Sequence, residues 1–178
     1  MAQVFVSIGS NIDPQTNITE AFRRLLALGG VVGVSKFYLT EPYLAQGPSF
    51  YNGVVQLSVD LKPLQLKNQV LRTIETDLGR VRTEDKYAPR QIDLDIIIYD
   101  DLVIDDPDLT IPDPEIAIRP FLAVPLCDLA PDIILPGTGI RLADIVSKMR
   151  TDTMAELTDF TEKIKQEFTG WIKRESRS

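Results

Sequence analysis

An α+β fold, with an antiparallel sheet backed by helices, is what this sequence predicts on three observations. Stretches of alternating apolar and polar residues mark strands, and stretches with apolar residues three and four apart mark helices. The two kinds follow one another as β-α-β-β-α-β. The 178 residues carry 44% hydrophobic content, enough for one core and short for two, so a single domain is expected.

The elements follow in order. Gln3 to Gly9 alternates and contains Val and Phe, which predicts an opening strand. Asp13 as a cap and Pro14 at the first helical position start a helix whose apolar face is Ile18, Phe22, Leu25 and Leu26. Val31 to Thr40 reads as a second strand, and the two prolines and Gly47 of "EPYLAQGPS" end it. Phe50 to Leu61 is a third strand, with Val55, Leu57 and Val59 set against polar partners. The clearest helix begins at Pro63, carries Leu66, Val70, Ile74 and Leu78 at every fourth position and stops at Gly79. A polar loop, "VRTEDKYAPR", leads to a fourth strand, "PRQIDLDIIIYDD".

Together these give a ferredoxin-like sheet with two helices behind it. A Pro-rich segment and two short helices, near "FLAVPLCDLAP" and "LADIVSKMR", complete residues 1–150. From Thr151 onward Met154, Leu157, Phe160, Ile164, Phe168 and Trp171 recur at helical spacing, so residues 151–178 are expected to be a helical extension. Its apolar face either packs back on the domain or meets a second copy or another partner.

Composition excludes several functions. With 19 basic and 26 acidic side chains the formal charge is −7, which argues against a nucleic-acid or anionic-membrane surface. A stretch of about 18 apolar residues, as a membrane span requires, is absent, and a cytoplasmic protein is expected. There is one cysteine, Cys127, read as a small core residue. There is no histidine, so any catalysis must use carboxylates, arginine, lysine, metal or backbone.

The fourth strand holds a puzzle, because Asp93 and Asp95 interrupt an apolar run. Residues two apart on a strand share a face, so the carboxylates lie about 6.6 to 6.8 Å apart at the backbone while Ile92, Leu94 and Ile96 face the core. Two like charges at that spacing either share a cation or belong to an ordinary wet face. The loop before them favours the cation. Arg80, Arg82, Lys86 and Arg90 face only Glu84 and Asp85, which suits phosphate, with Mg2+ as the metal.

With these residues in hand, the chain resembles the 6-hydroxymethyl-7,8-dihydropterin pyrophosphokinase family of folate biosynthesis. The fragments "SIGSN", "SKFYLTEP", "FYNGVV", "IETDLGRVR", "APRQIDLDIIIY", "LTIPDP" and "RPFLAVPL" occur in family order. The resemblance implies transfer of pyrophosphate from ATP to the pterin hydroxymethyl group, with AMP released. It implies that Asp93 and Asp95 bind two Mg2+ ions and that Arg80 and Arg90 stabilise charge during transfer. ATP contacts are implied for Arg72, Glu75, Arg82, Tyr87, Arg90 and Arg119. For Arg72 and Glu75 taken alone, a helix-surface charge is the competing reading. The pterin pocket is implied at Thr40, Pro42, Phe50, Asn52 and Phe121, with the aromatic rings stacking and the amide reading the ring edge.

The chain departs from the family pattern in its helical tail, in Tyr87 where tryptophan is common, and in Asp113 where histidine is common. Asp113 puts a negative charge near the expected phosphate path. Two other readings stay open at this point: a different magnesium-dependent phosphotransferase, and a binding module without turnover. A monomer acting on small molecules is expected, with a dimer or a contact with another enzyme of the pathway through the C-terminal helix as the alternative.

Overall fold

The computed structural model of the chain describes residues 1–42, 47–82 and 88–175. Strand β1 (Ala2–Ser10) is central, flanked by β4 (Phe50–Val59) and β5 (Asp93–Tyr99), both antiparallel to it. The far edge of β4 is shared by β2 (Val31–Val34) and β3 (Tyr38–Thr40), and β8 (Met154–Glu156) pairs outside β3. The antiparallel order β5-β1-β4-β3-β8 is the ferredoxin-like sheet expected. A separate hairpin joins β6 (Ile104–Asp106) to β7 (Leu109–Ile111), inside the segment read as merely Pro-rich.

Alternation along β1 divides the core. Val4, Val6 and Ile8 face α1 (Pro14–Ala27) and α6 (Thr158–Glu175), while Phe5 faces α4 (Pro120–Leu129) and α5 (Leu142–Val146). The sheet therefore has helices on both faces, not only behind one. Between Phe5 and Val6 the register with β5 slips, so Ile97 is bulged and its carbonyl accepts the N–H of Asp113 at 2.9 Å. That bond seats the Asp113 turn beside the strand carrying the aspartates.

Four expectations need correction. The second strand is two, because Ser35 Oγ accepts the Val54 N–H at 2.8 Å and the backbone of Phe37 turns to the tail. The long helix is continuous but not regular: α2 (Pro63–Gln65) runs into a π-helical stretch (Leu66–Leu71) and then α3 (Arg72–Asp77). The wider turns break the four-residue spacing, burying Leu71 in place of Val70 and rotating Glu75 inward. Asp13 occupies the cap position of α1 with φ 42 and makes no side-chain capping bond; its carbonyl accepts from the Asn17 N–H instead. Met154 lies in β8, so the tail helix starts at Thr158.

Helix α6 lies along α1 and the sheet, with Phe160 and Ile164 buried in the core and Phe168 edge-on to Phe22. Among the described residues no helix is long and apolar enough to cross a membrane. Cys127 is half-buried and packs against the α4 side of the core.

Candidate active site

The cleft opens on the α4 side of the sheet, where strand alternation aims Ser7, Gly9, Asn52, Asp93 and Asp95 the same way. Register sets their spacing. Gly9 pairs with Asn52 on one side and Asp93 on the other, so the amide and the carboxylate are two strands apart, about 10 Å at the backbone. Between them stands a residue with no side chain. A Cβ on Gly9 would lie 2.7 Å from Asn52 Oδ1, so glycine lets that amide lie flat over β1.

One end of the cleft is amide and aromatic. Asn52 Nδ2 donates to Thr40 Oγ1 at 2.7 Å, which fixes the amide's orientation, and Pro42, Phe50 and Phe121 complete the walls. Every residue expected in the pterin pocket is therefore in one cavity. Arg119, at the cap position of α4, lines it too and pairs with Glu115 at 3.6 Å.

The other end is ionic, and its organiser is Glu75. The π-helical turn buries this side chain to 2% exposure, where it accepts from Arg80 Nη1, from Arg82 Nη2 at 2.7 Å and from the Leu94 N–H at 2.9 Å. The competing reading of Glu75 as a helix-surface charge fails here, since its bond to Leu94 fastens the residue between the two aspartates. Arg80 also donates to Asp93, and Arg90 Nη1 donates to the other Asp93 oxygen at 2.6 Å. Burial alone would raise Asp93, but the two guanidiniums hold its carboxyl below the usual range.

Asp95 behaves in the opposite way. Solvent reaches it, yet protein atoms crowd it, and that desolvation followed by the charges of Asp93 and Glu75 pushes it up to about 7. The residue has no ion-pair partner among the described residues. The pair therefore combines one neutralised carboxylate with one that needs a cation.

Asn11, quoted in the "SIGSN" fragment without a role, is buried and ties two loops together. Its Oδ1 accepts the Arg90 N–H at 2.8 Å and its Nδ2 donates to the Pro48 carbonyl at 3.2 Å. A second, polar cavity shares Asp95 and Asp113 with the cleft and is lined by Lys67, Ile96, Leu109, Thr110 and Pro114. No sequence signal singled these out, because the β6–β7 hairpin that brings Leu109 and Thr110 here was not foreseen.

Asp113 does not point freely into the phosphate path. Its Oδ1 accepts the Glu115 N–H at 2.8 Å and caps a short 3-10 helix (Pro114–Ala117), and burial raises its pKa. Arg72 lies exposed on the outer side of α3 and lines neither cavity. Arg82 is 56% exposed and reaches the site through Glu75. Tyr87 lies outside the described residues.

The sequence model of the family described as 7,8-dihydro-6-hydroxymethylpterin-pyrophosphokinase (HPPK) matches residues 5–131. The chain is 37% identical over 147 residues to the 2-amino-4-hydroxy-6-hydroxymethyldihydropteridine pyrophosphokinase of Synechocystis, covering 81% of this chain and 74% of that one. It is 40% identical over 150 residues to the Pseudomonas aeruginosa protein of the same name, covering 82% and 90%. Two further relatives are folic acid synthesis proteins, of which the chain spans 20% and 21%. Among solved structures it resembles Plasmodium falciparum HPPK-DHPS with a TM-score of 0.65 at 14% identity, covering 88% of this chain and 47% of that one. At that identity the likeness speaks for the fold.

Proposed function

The chain belongs to the HPPK family, whose reaction is pyrophosphoryl transfer from ATP to hydroxymethyl-dihydropterin in folate synthesis, and we propose that the cleft carries out that reaction as follows. The pterin ring lies between Phe50 and Phe121, with its polar edge read by the Thr40–Asn52 pair. Its hydroxymethyl group then reaches over Gly9 toward Asp93 and Asp95. ATP enters through the second cavity, whose residues Ile96, Leu109 and Thr110 suit a nucleoside, and extends its phosphates past Asp95 and Asp113. The pterin hydroxyl oxygen attacks the β-phosphorus and loses its proton to solvent, the bond from the β-phosphorus to the oxygen bridging to the α-phosphorus breaks, and AMP leaves with that oxygen.

The arginines serve the phosphates by exchange. Arg80 and Arg90 now pair with Asp93, and triphosphate oxygens offer the same guanidiniums a stronger, multidentate anion. Released from the arginines, Asp93 would hold Mg2+ together with Asp95, and two ions are proposed. Among the described residues no group of three or more acidic, histidine or cysteine side chains is placed to hold a metal ion. Two carboxylates fit a magnesium site, because that ion draws its remaining ligands from phosphate and water. When bound, the metal supplies charge neutralisation on the phosphoryl oxygens and polarises the attacking hydroxyl. Glu75 is a positioning group that aims Arg80 and Arg82, and Arg119 borders the pterin end.

The observation that carries this reading is the row Asp93–Gly9–Asn52, which puts an ionic site and an amide-aromatic pocket a short span apart. Residues 1–150 are proposed as the catalytic domain and 151–178 as an extension. The apolar side of α6 is taken up by α1 and the sheet, which favours a monomer. The test is AMP formation from ATP and Mg2+, with and without 6-hydroxymethyl-7,8-dihydropterin. Pterin-dependent AMP supports the reading, and its absence from folded protein overturns it.

A further inference from the structure

The family match ends at residue 131, yet the chain beyond it reaches the back of the pterin-facing strands. On its outer side β3 pairs with β8, with Thr40 opposite Met154; on its inner side it pairs with β4, with Thr40 opposite Phe50 and Tyr38 opposite Asn52. Just before β3, both backbone groups of Phe37 are taken by the tail. Its N–H donates to Thr161 Oγ1 at 2.9 Å, and its carbonyl accepts the Leu157 N–H at 2.8 Å.

The rings repeat the pattern. Phe160 stands edge-on to Phe37 at 5.1 Å and to Tyr51 at 5.4 Å, and the Phe37 ring lies against Gly53 so closely that a Cβ there would come within 2.6 Å of it. Tyr51 and Gly53 flank Asn52 and face away from the cleft. The tail thus bears on the residues on either side of the amide that faces the pocket, on Tyr51 directly and on Gly53 through Phe37. Thr161 is buried to 2% exposure, as suits a hydrogen bond shielded from water.

We propose that Thr161 and Phe160 are positioning residues for the pterin subsite, fixing β3 against β4 so that Thr40 and Asn52 hold their geometry. The proposal rests on the pterin reading of the cleft. It makes the C-terminal segment part of the substrate site even though it touches no substrate. Because the nucleotide cavity is built from the π-helical stretch, β5, β7 and the Asp113 turn, its affinity is independent of the tail.

The experiment compares the unaltered chain with Thr161→Val, Thr161→Ser and Ile164→Val, measuring KM for each substrate by AMP formation. Thr161→Val is expected to raise the KM for 6-hydroxymethyl-7,8-dihydropterin about fivefold, the effect of one buried hydrogen bond, and to leave the KM for ATP within about twofold. Thr161→Ser restores the acceptor and the pterin KM. Ile164→Val weakens the same helix in the core while keeping the Thr161–Phe37 hydrogen bond, and leaves the pterin KM as it was. An unchanged pterin KM in Thr161→Val, an equal rise in both KM values, or an equal rise in Ile164→Val overturns the proposal. If Thr161→Val does not fold, Phe160→Leu is judged by the same criteria. Absence of pterin-dependent AMP from the unaltered chain overturns the functional reading itself, which keeps the two failures distinct.

Discussion

The Leu94 N–H donates to the Glu75 carboxylate at 2.9 Å, so the residue between the two aspartates is fastened to a buried side chain on the preceding helix. The same carboxylate receives Arg80 and Arg82. One group therefore sets the strand edge and both guanidiniums. Glu75→Gln keeps an acceptor but loses the charge. Expected are a loss of about 1–3 kcal/mol in urea unfolding and a fall of at least about tenfold in kcat, with both KM values less affected. A variant with normal kcat would show that the arginines position themselves.

Asp95 carries the sign of the pH effect. Its folded pKa is raised to about 7 by desolvation and by Asp93 and Glu75, so the native state holds a proton that the unfolded chain has already lost above about pH 4. Without metal, stability is therefore fullest below that point and declines as pH rises through about 7. Asp95→Asn removes the decline. In metal-free buffer its Tm should match the unaltered chain near pH 4 and exceed it at pH 8, while turnover is lost. Added Mg2+ should raise the Tm of the unaltered chain at pH 8 and leave the variant's in place. Equal Tm profiles for the two proteins would remove the assignment.

Gly9→Ala sets a methyl group 2.7 Å from Asn52 Oδ1, too close for the amide to stay where it is. The nearest atom belongs to a side chain, so the amide shifts and the fold survives. Pterin KM should rise about tenfold, the equivalent of about 1.4 kcal/mol, with ATP KM unchanged. A rise in ATP KM instead would place the amide on the nucleotide.

Asp113→Asn retains the oxygen that accepts the Glu115 N–H while removing a negative charge shared by both cavities. ATP KM should fall about threefold, a surface-scale electrostatic gain, at unchanged Tm. An increase would mean that the carboxylate itself contributes to binding metal or nucleotide.

Much of this was legible beforehand, and the reasons differ from residue to residue. Asp93 and Asp95 stood out because period-two alternation puts both on one face whatever the sheet does with the strand. Phe50 and Asn52 share a face for the same reason. For Glu75 the residues alone left a surface charge open beside the nucleotide role that the resemblance implies, because four-residue periodicity assumes a regular helix, and the π-helical turns between Leu66 and Leu71 rotate it inward. Arg72 was expected at the nucleotide and lies exposed on the outer side of α3. The split of the second strand could not be read because its cause, Thr161 accepting from Phe37, lies 124 positions away.

Local pattern in the sequence determined the α+β class, most of the strands and helices, and the chemical character of the site, because these follow from periodicity and from side-chain chemistry. Tertiary structure alone decided that Arg80 and Arg90 share Asp93, that Asn11 ties the Arg90 and Pro48 loops, and that the tail supports β3. Those relations join residues distant in the chain. They arise when buried donors and acceptors must find partners within a packed sheet, a constraint that acts only once the chain has folded.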